Sequence, residues 1–147
     1  MSQHQATIEW QRGTEDFTYE AYSRDHGWSF PGGIEVAASA APAFKGSPDR
    51  LDPEEAFVAA IASCHMLTFL ALAARKRVVV ERYQDHAVGV LEKNDDGRLA
   101  ITQVTLRPKI SFGGDPPAAE ELARLHQQSH HGCFIANSVQ TAITVES

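Results

Sequence analysis

Two cysteines are the residues of this chain best suited to carry chemistry, and both occupy structurally marked positions. Cys64 lies inside a long apolar segment with helical spacing, and Cys133 directly follows a glycine that ends a second helical pattern. Two thiols in such positions indicate a redox pair rather than a scatter of core residues. Since the thiolate is the reactive form of cysteine, a catalytic Cys64 needs a group that stabilises its charge.

That group should be a cation brought to Cys64 from elsewhere in the fold. An ordinary cysteine has a pKa of about 8.5, so only a few per cent is ionised at neutral pH. Cys64 lies about three turns inside its predicted helix, too deep for the positive end of the helix dipole to ionise it. Arginine is the most suitable cation, because it stays charged when partly buried and can be held by a carboxylate.

Two carboxylates, Glu54 and Glu55, open the same helix. Glu54 precedes Cys64 by ten residues, which separates them by about 15 Å along a straight helix and turns them to different faces. The two side chains therefore cannot share a site within one helix. They could meet if Glu54 came from the antiparallel helix of a second copy, which would make dimerisation part of the chemistry.

The composition is that of an ordinary globular protein. The 147 residues are 43% hydrophobic and 22% charged, with a formal net charge of −6. They contain no run of lysine or arginine, so nucleic acid is not an expected partner. Residues 1–11 are polar and lack an apolar signal core, which favours a cytoplasmic protein. In that compartment a permanent structural disulfide is not expected.

One segment approaches the length of a membrane span. Residues 56–74 hold no charged side chain over 19 positions, and a span needs about 20 apolar residues. Seven of the 19 positions are alanine, and Ser63, Cys64, His65 and Thr68 interrupt the segment with polar groups. We therefore interpret it as a core helix covered by protein, and expect no membrane partner.

The remaining pattern predicts an α+β protein with a single domain over residues 1–147. Strands are predicted over 6–11, 17–22, 34–38, 78–83, 87–92, 99–112 and 142–146. The central helix should begin at Asp52, where Pro53 and Glu55 complete a capping-box pattern, and run for about 23 residues. A second helix is predicted from Asp115 to Gly132.

Sheet wrapped on helix is the expected architecture. One small sheet covers only one side of a helix as apolar as the central one. The sequence therefore predicts a homodimer in which two copies of this helix pack together.

These residues carry a family resemblance. Asp52-Pro53-Glu54-Glu55, followed by Ala62-Ser63-Cys64 and by a distant Cys133, resembles the OsmC/Ohr family of osmotically inducible and organic hydroperoxide resistance proteins, in a divergent Ohr-like branch. The resemblance covers essentially the whole chain. It implies an OsmC-like fold, with antiparallel sheets wrapped around a long central helix in an intertwined homodimer. It also implies thiol-dependent reduction of organic hydroperoxides in oxidative stress defence.

By position, the resemblance makes Cys64 the peroxidatic cysteine and Cys133 the resolving cysteine. The implied reaction converts Cys64 to a sulfenic acid while the hydroperoxide becomes an alcohol, and Cys133 then condenses with it to a disulfide. The resemblance also implies an external dithiol reductant of the lipoyl type, carried on another protein. No bound cofactor and no metal are expected.

The resemblance assigns Glu54 as the acid that orients an arginine. Arg24 is the expected arginine, because residues 23–27 resemble the Gly-Arg-Asp-Gly segment of the Ohr branch. Arg50 is the alternative.

Several histidines depart from the family pattern and keep two other interpretations open. His65 follows Cys64 where the family usually has an apolar residue, and His130 and His131 precede Cys133. One alternative is a zinc site that draws ligands from these five residues. The other is a non-enzymatic dimeric module that binds an apolar ligand. His65 itself is expected to be a structural histidine, because it points about 100° away from Cys64 around the helix.

Overall fold

The chain folds into helices and three mostly antiparallel sheets, which confirms the predicted α+β class. The structure is a computed structural model that describes residues 1–146. The chain divides into two compact units, Met1–Ala56 and Phe57–Ser147. The assignment of one domain to the whole chain stays a prediction.

The N-terminal unit contains a three-stranded antiparallel sheet in the order β1-β2-β3. Its strands are β1 (Thr7–Glu9), β2 (His26–Ser29) and β3 (Glu35–Ala38). The strand predicted over 17–22 is wrong. The backbone N–H groups of Ala21 and Tyr22 both donate to the Thr18 carbonyl, so this segment is a turn. Its aromatic residues suggested a strand, but they cluster with Trp10. The ring centroid of Trp10 lies 5.8 Å from that of Phe17 and 6.1 Å from that of Tyr22.

The central helix, α1 (Pro53–Arg75), has the predicted start and the predicted length of 23 residues. The Glu55 backbone N–H donates to Asp52 Oδ1 at 2.8 Å, and the Asp52 N–H donates to Glu55 Oε1 at 3.1 Å. This reciprocal pair is the predicted capping box, which satisfies two backbone donors that helix geometry leaves unpaired. By length and composition alone α1 could cross a membrane, although two apolar clusters of this chain also pack along it.

The C-terminal unit contains two further sheets. Their strands are β4 (Val79–Asp85), β5 (Val88–Lys93), β6 (Leu99–Leu106), β7 (Pro108–Gly113) and β8 (Ala142–Val145). β4 pairs with β7, while β5, β6 and β8 form the other sheet, in which β8 runs parallel to β6. The strand predicted over 99–112 is therefore two strands in different sheets. The chain changes sheet at Arg107, whose backbone N–H donates to the Asp85 side chain, and Pro108 opens β7 on an edge, where its missing donor costs little.

The second helix, α2 (Ala119–Gly132), ends at the predicted glycine but begins four residues later than predicted. Asp115 and Pro116 each precede a proline, and a residue in that position is driven away from helical backbone angles. Ala118 is the N-cap, with no side-chain hydrogen bond.

Two apolar clusters pack along α1 within the C-terminal unit. The first is centred on Ile61, Val104 and Leu106, and the second on Phe69, Ala73 and Leu125. Between Ile61 and Phe69, the α1 sequence runs through Cys64, His65 and Thr68. The polar and reactive residues of α1 thus occupy the segment between its two apolar anchors.

Candidate active site

The structure brings the two cysteines into contact. Cys64 lies half-buried in the middle of α1, and Cys133 is the C-cap of α2, with only 1% of its surface exposed. The two side chains lie close enough for Cys64 to affect the ionisation of Cys133, and both are thiols rather than a disulfide. Residues 69 positions apart in sequence therefore form one dithiol site.

The end of α2 reaches Cys64 because small residues allow a close helix approach. A Cβ atom on Gly132 would lie 3.3 Å from Thr68 Cγ2, so glycine lets α2 end directly against α1. Thr68 Oγ1 in turn donates to the Cys64 carbonyl at 2.9 Å, one helical turn back. The glycine that ends α2 thus also delivers Cys133 to its partner.

Cys133 is held as a protonated thiol. Burial raises the pKa of the Cys133 thiol, and the neighbouring Cys64 side chain raises it further. The Ala136 backbone N–H donates to Cys133 Sγ at 3.3 Å, which opposes these effects only in part. The arrangement keeps Cys133 unreactive while its partner is a thiol.

A buried histidine pair joins the same two helices. His65 is 1% exposed and His126 is 5% exposed, and His65 Nε2 lies 3.0 Å from His126 Nδ1, a hydrogen bond that joins α1 to α2. Burial lowers the pKa of His65 to about 4, with a further contribution from His126, and burial also lowers the pKa of His126. Both imidazoles are therefore neutral at neutral pH, in keeping with the structural role predicted for His65.

Arg24 belongs to the N-terminal unit, where its guanidinium group is held by the turn over residues 17–22. Nη1 and Nη2 donate to the carbonyls of Tyr22 and Tyr19. The same group stacks over the Tyr22 ring, 3.6 Å from its centroid. These two bonds use two of the five N–H donors of the guanidinium group.

Arg50, the alternative arginine, is held in a similar way within the same unit. Its Nε donates to the Ala38 carbonyl and its Nη2 to the His26 carbonyl, both at 2.9 Å. Its Nε also lies 3.8 Å from Asp25 Oδ1. Arg50 therefore connects β2 and β3 to the segment that leads into α1.

The two carboxylates that open α1 differ in their bonding. Glu55 is used by the capping box. Glu54 is half-buried, and its Oε2 has no hydrogen-bond partner among residues 1–146. Of the two, Glu54 is the carboxylate with bonding capacity left for another group.

The described part of the chain contains no set of side chains that could hold a zinc ion. Within residues 1–146, no three His, Cys, Asp or Glu side chains come together as a metal site would need. Instead, His65 is hydrogen-bonded to His126, and Cys64 lies close to Cys133.

His126 is a residue that sequence reasoning missed. It precedes Cys133 by seven positions, which is the spacing that returns a helix to the same face. Reading α2 backwards from Cys133 at that spacing would have identified it as a neighbour of the α1 residues around Cys64.

Comparison with known proteins identifies the fold. Residues 46–147 match the family model of the OsmC-like proteins. An OsmC-like protein of unknown function from Vibrio cholerae is 47% identical, with a TM-score of 0.95 and 99% of each chain covered. These matches confirm the resemblance inferred from the sequence.

Two more distant structures share the fold alone. An organic hydroperoxide resistance protein from Elizabethkingia anophelis is 18% identical, with a TM-score of 0.74 over 99% of this chain and 93% of that one. A second, from Bacillus subtilis, is 16% identical, with a TM-score of 0.71 over 99% and 97%. Comparison with curated proteins finds no match.

The difference between the two thiols predicts selective alkylation. In the reduced native protein, iodoacetamide should label Cys64 at least about tenfold faster than Cys133, because Cys133 is buried and held protonated. Timed labelling followed by peptide mass measurement checks this. The urea-unfolded chain is the control, in which both thiols should react at similar rates; equal rates in the native protein would contradict the assignment.

Proposed function

Because the chain belongs to the OsmC-like family, we propose that it is a thiol-dependent peroxidase that reduces organic hydroperoxides to alcohols in oxidative stress defence. The observation that carries this proposal is the contact between Cys133 and Cys64. A thiol peroxidase needs a second thiol within reach of the one that is oxidised. Solved structures with the same fold are named organic hydroperoxide resistance proteins, which further supports peroxide chemistry.

The proposed reaction has three balanced steps. The Cys64 thiolate attacks the distal oxygen of the hydroperoxide, so that an S–O bond forms and the O–O bond breaks. The leaving alkoxide takes up a proton, equivalent to the one that Cys64 lost on ionisation, and departs as the alcohol. Cys133 then attacks the sulfenic sulfur, so that an S–S bond forms, the S–O bond breaks and water leaves. An external dithiol, which we propose to be of the lipoyl type, restores both thiols by exchange and is itself oxidised to a disulfide.

Cys133 must lose its proton in the second step, since the thiolate is the attacking form of cysteine. While Cys64 is a thiol, it helps to keep the pKa of Cys133 raised. Oxidation of Cys64 to a sulfenic acid replaces that thiol, which removes this contribution and leaves the Ala136 N–H on the Cys133 sulfur. Cys133 thus becomes easier to ionise when its partner has been oxidised.

Phe134 supports a preference for organic over hydrogen peroxide. It directly follows Cys133 and is 80% exposed, so it offers apolar surface beside the dithiol. Burying the alkyl or aryl group of a substrate there would contribute about 25 cal/mol for each Å² of apolar surface removed from water.

The peroxidase proposal predicts fast and selective oxidation. Reduced protein mixed with cumene hydroperoxide should form a Cys64–Cys133 disulfide, detected by mass, faster than with hydrogen peroxide. Stopped-flow measurement of both reactions gives the rates. Cys64→Ser should abolish the reaction, whereas Cys133→Ser should keep the first step and accumulate a sulfenic acid that dimedone traps.

Slow reaction with both peroxides, in a protein that still carries two reduced thiols, would reject the peroxidase. The alternative, a binding module for an apolar ligand, would then be favoured. The cavity of about 680 Å³ beside Phe57 gives that alternative little support. Its lining includes Glu92, Asp95 and Asp96, and neither cysteine contributes to it.

We further propose that Arg24 stabilises the Cys64 thiolate and that Glu54 orients this arginine. The hydrogen bonds from Arg24 to two backbone carbonyls fix the plane of its guanidinium group. They leave three of its N–H donors for a thiolate and a carboxylate. The unpartnered Oε2 of Glu54 is an acceptor suited to one of them.

Paired arginine variants test this assignment. Arg24→Gln should lower the second-order rate of Cys64 oxidation by about ten- to a hundredfold, because a charge-assisted hydrogen bond contributes about 1.5–3 kcal/mol. Arg24→Lys should recover part of the rate, and Arg50→Gln should leave it within about threefold of wild type. A loss confined to Arg50→Gln, in a variant with unchanged circular dichroism, would transfer the role to Arg50.

We propose a cytoplasmic homodimer as the functional form. One face of α1 remains apolar and uncovered in the described chain, and Leu67 on that face is 61% exposed. Packing the α1 helices of two copies would bury this face. An antiparallel pair of helices would also supply Glu54 to the partner's Cys64, which no single helix can do.

Matched leucine variants test the dimer. Leu67→Asp should yield a monomer in sedimentation analysis, because a buried unpaired carboxylate costs several kcal/mol. Leu99→Asp is the control, since Leu99 is 60% exposed on β6 and should tolerate the charge with the oligomer intact. A wild-type monomer, or a dimer that survives Leu67→Asp, would count against packing through this face.

A further inference from the structure

The contact between α1 and α2 contains two polar pairs side by side. His65 bonds His126, and the preceding residue of α1, Cys64, lies close to Cys133. His126 and Cys133 are seven residues apart on α2, about 10 Å along its axis and on one face. Both are buried, as is Ser129 between them, whose hydroxyl donates to the Leu125 carbonyl.

The histidine pair is the part of this contact with a fixed geometry between the helices. The two rings are nearly parallel, at 10°, with centroids 5.3 Å apart, and Phe69 packs 4.7 Å from the His126 ring. An apolar contact tolerates sliding, whereas a buried hydrogen bond is lost within a fraction of an ångström to an ångström of displacement. The pair therefore selects one register of α2 on α1.

The surroundings favour the neutral form of the pair. The groups around it are the exposed His130 on α2 and Tyr83 on β4 across Phe69, with Asp85 beyond Tyr83. Among residues 1–146, no carboxylate bonds either ring, and His65 Nδ1 and His126 Nε2 are buried without a partner. A proton added to either ring would have no counterion, and a proton on both would set two cations in hydrogen-bond contact.

We propose that the His65–His126 pair is a positioning device, whose neutral hydrogen bond holds α2 in the register that presses Cys133 against Cys64, and whose protonation releases that register. Neither histidine needs to touch the peroxide. The proposal deepens the proposed function, since the resolving step needs this contact, but the contact itself can be measured without a peroxide.

The direction of the pH dependence follows from the depressed pKa values. Released imidazoles have a pKa of about 6.5, whereas His65 in the closed pair has a pKa of about 4. The released state therefore binds more protons between these values. The closed register is fully stabilised above about pH 6.5, and that stabilisation is lost as the pH falls towards about 4.

The test is the equilibrium of the two cysteines with glutathione. Oxidised glutathione accepts two electrons from the dithiol, giving the Cys64–Cys133 disulfide and two reduced glutathiones, with no net proton change while all thiols are protonated. The equilibrium ratio of disulfide to dithiol protein, at known glutathione concentrations, defines an effective concentration of Cys133 at Cys64. It would be measured at about pH 7 and about pH 4.5, with selenocystamine to catalyse exchange in acid. Ionisation of the thiols would shift this ratio alike in the wild type and in a variant that lacks the titrating pair, so the difference between the two proteins reports the histidines.

In the wild type, this effective concentration should fall by about tenfold or more from about pH 7 to about pH 4.5. The pKa of a released imidazole exceeds that of His65 in the closed pair by more than two units, which allows a change of this size. His126→Asn keeps a donor and an acceptor but does not titrate, so its value should be nearly flat. His131→Gln, in the exposed last turn of the same helix, should fall as the wild type does. An equal pH dependence in the wild type and in His126→Asn would overturn the proposal.

A second measurement needs no variant. Linkage is reciprocal, so disulfide formation should lower the pKa of both histidines relative to the reduced protein. Titration of the His65 and His126 ring resonances by NMR in the two redox states reports this. Equal pKa values in both states, or ordinary values in the reduced protein, would also overturn it. Because no peroxide is used, failure of the peroxidase proposal would leave both tests intact.

Discussion

The dithiol site depends on the packing of α2 against the middle of α1. α1 is anchored by an apolar cluster on either side of this point, one centred on Ile61 and the other on Phe69. The intervening segment is where the helix carries groups that water would normally solvate, namely a thiol and an imidazole. Burying them costs free energy unless each finds a partner. Both partners come from α2, one through His126 and the other through Cys133.

The placement of Cys133 follows from how α2 ends. Gly132 closes the helix and, having no side chain, lets it approach Thr68. The next residue leaves the helix with extended backbone angles, so that its side chain turns towards α1. A cysteine one turn earlier would lie in the helix body, where its direction is set by the neighbouring turns. Placing it at the cap gives the thiol a local hydrogen bond from Ala136 and brings it close to Cys64.

Local signals in the sequence predicted the elements that local interactions determine. Asp52, Pro53 and Glu55 predicted the start of α1 because a capping box is closed within four residues, and the structure confirms it. The turn over residues 17–22 and the late start of α2 were missed. In the first, aromatic residues stack on a residue outside the segment, and in the second two consecutive prolines delay the helix.

The site was predicted in part, for the same physical reason. Both cysteines could be singled out from their helical context, but their contact depends on the register between two helices, which no local pattern encodes. That is also why His126 went unnoticed while His65, its partner, was identified as structural. The roles of Arg24 and Glu54 rest on positional resemblance, which identifies residue types but not the bonds that hold them.

The polar groups in the α1–α2 contact cost free energy when they lose their partners, and an apolar contact would not. This cost restricts how α2 can move on α1. Sliding α2 by one turn would break the imidazole bond and leave two buried rings unpaired, at about 1–3 kcal/mol for each unsatisfied group. The same slide would carry Cys133 about 5.4 Å from Cys64, well beyond the length of a disulfide. A slide of α2 along its own axis would therefore disrupt both pairs. A buried neutral pair therefore penalises the displacements that would separate the thiols, whereas leucine or phenylalanine at these positions would tolerate them.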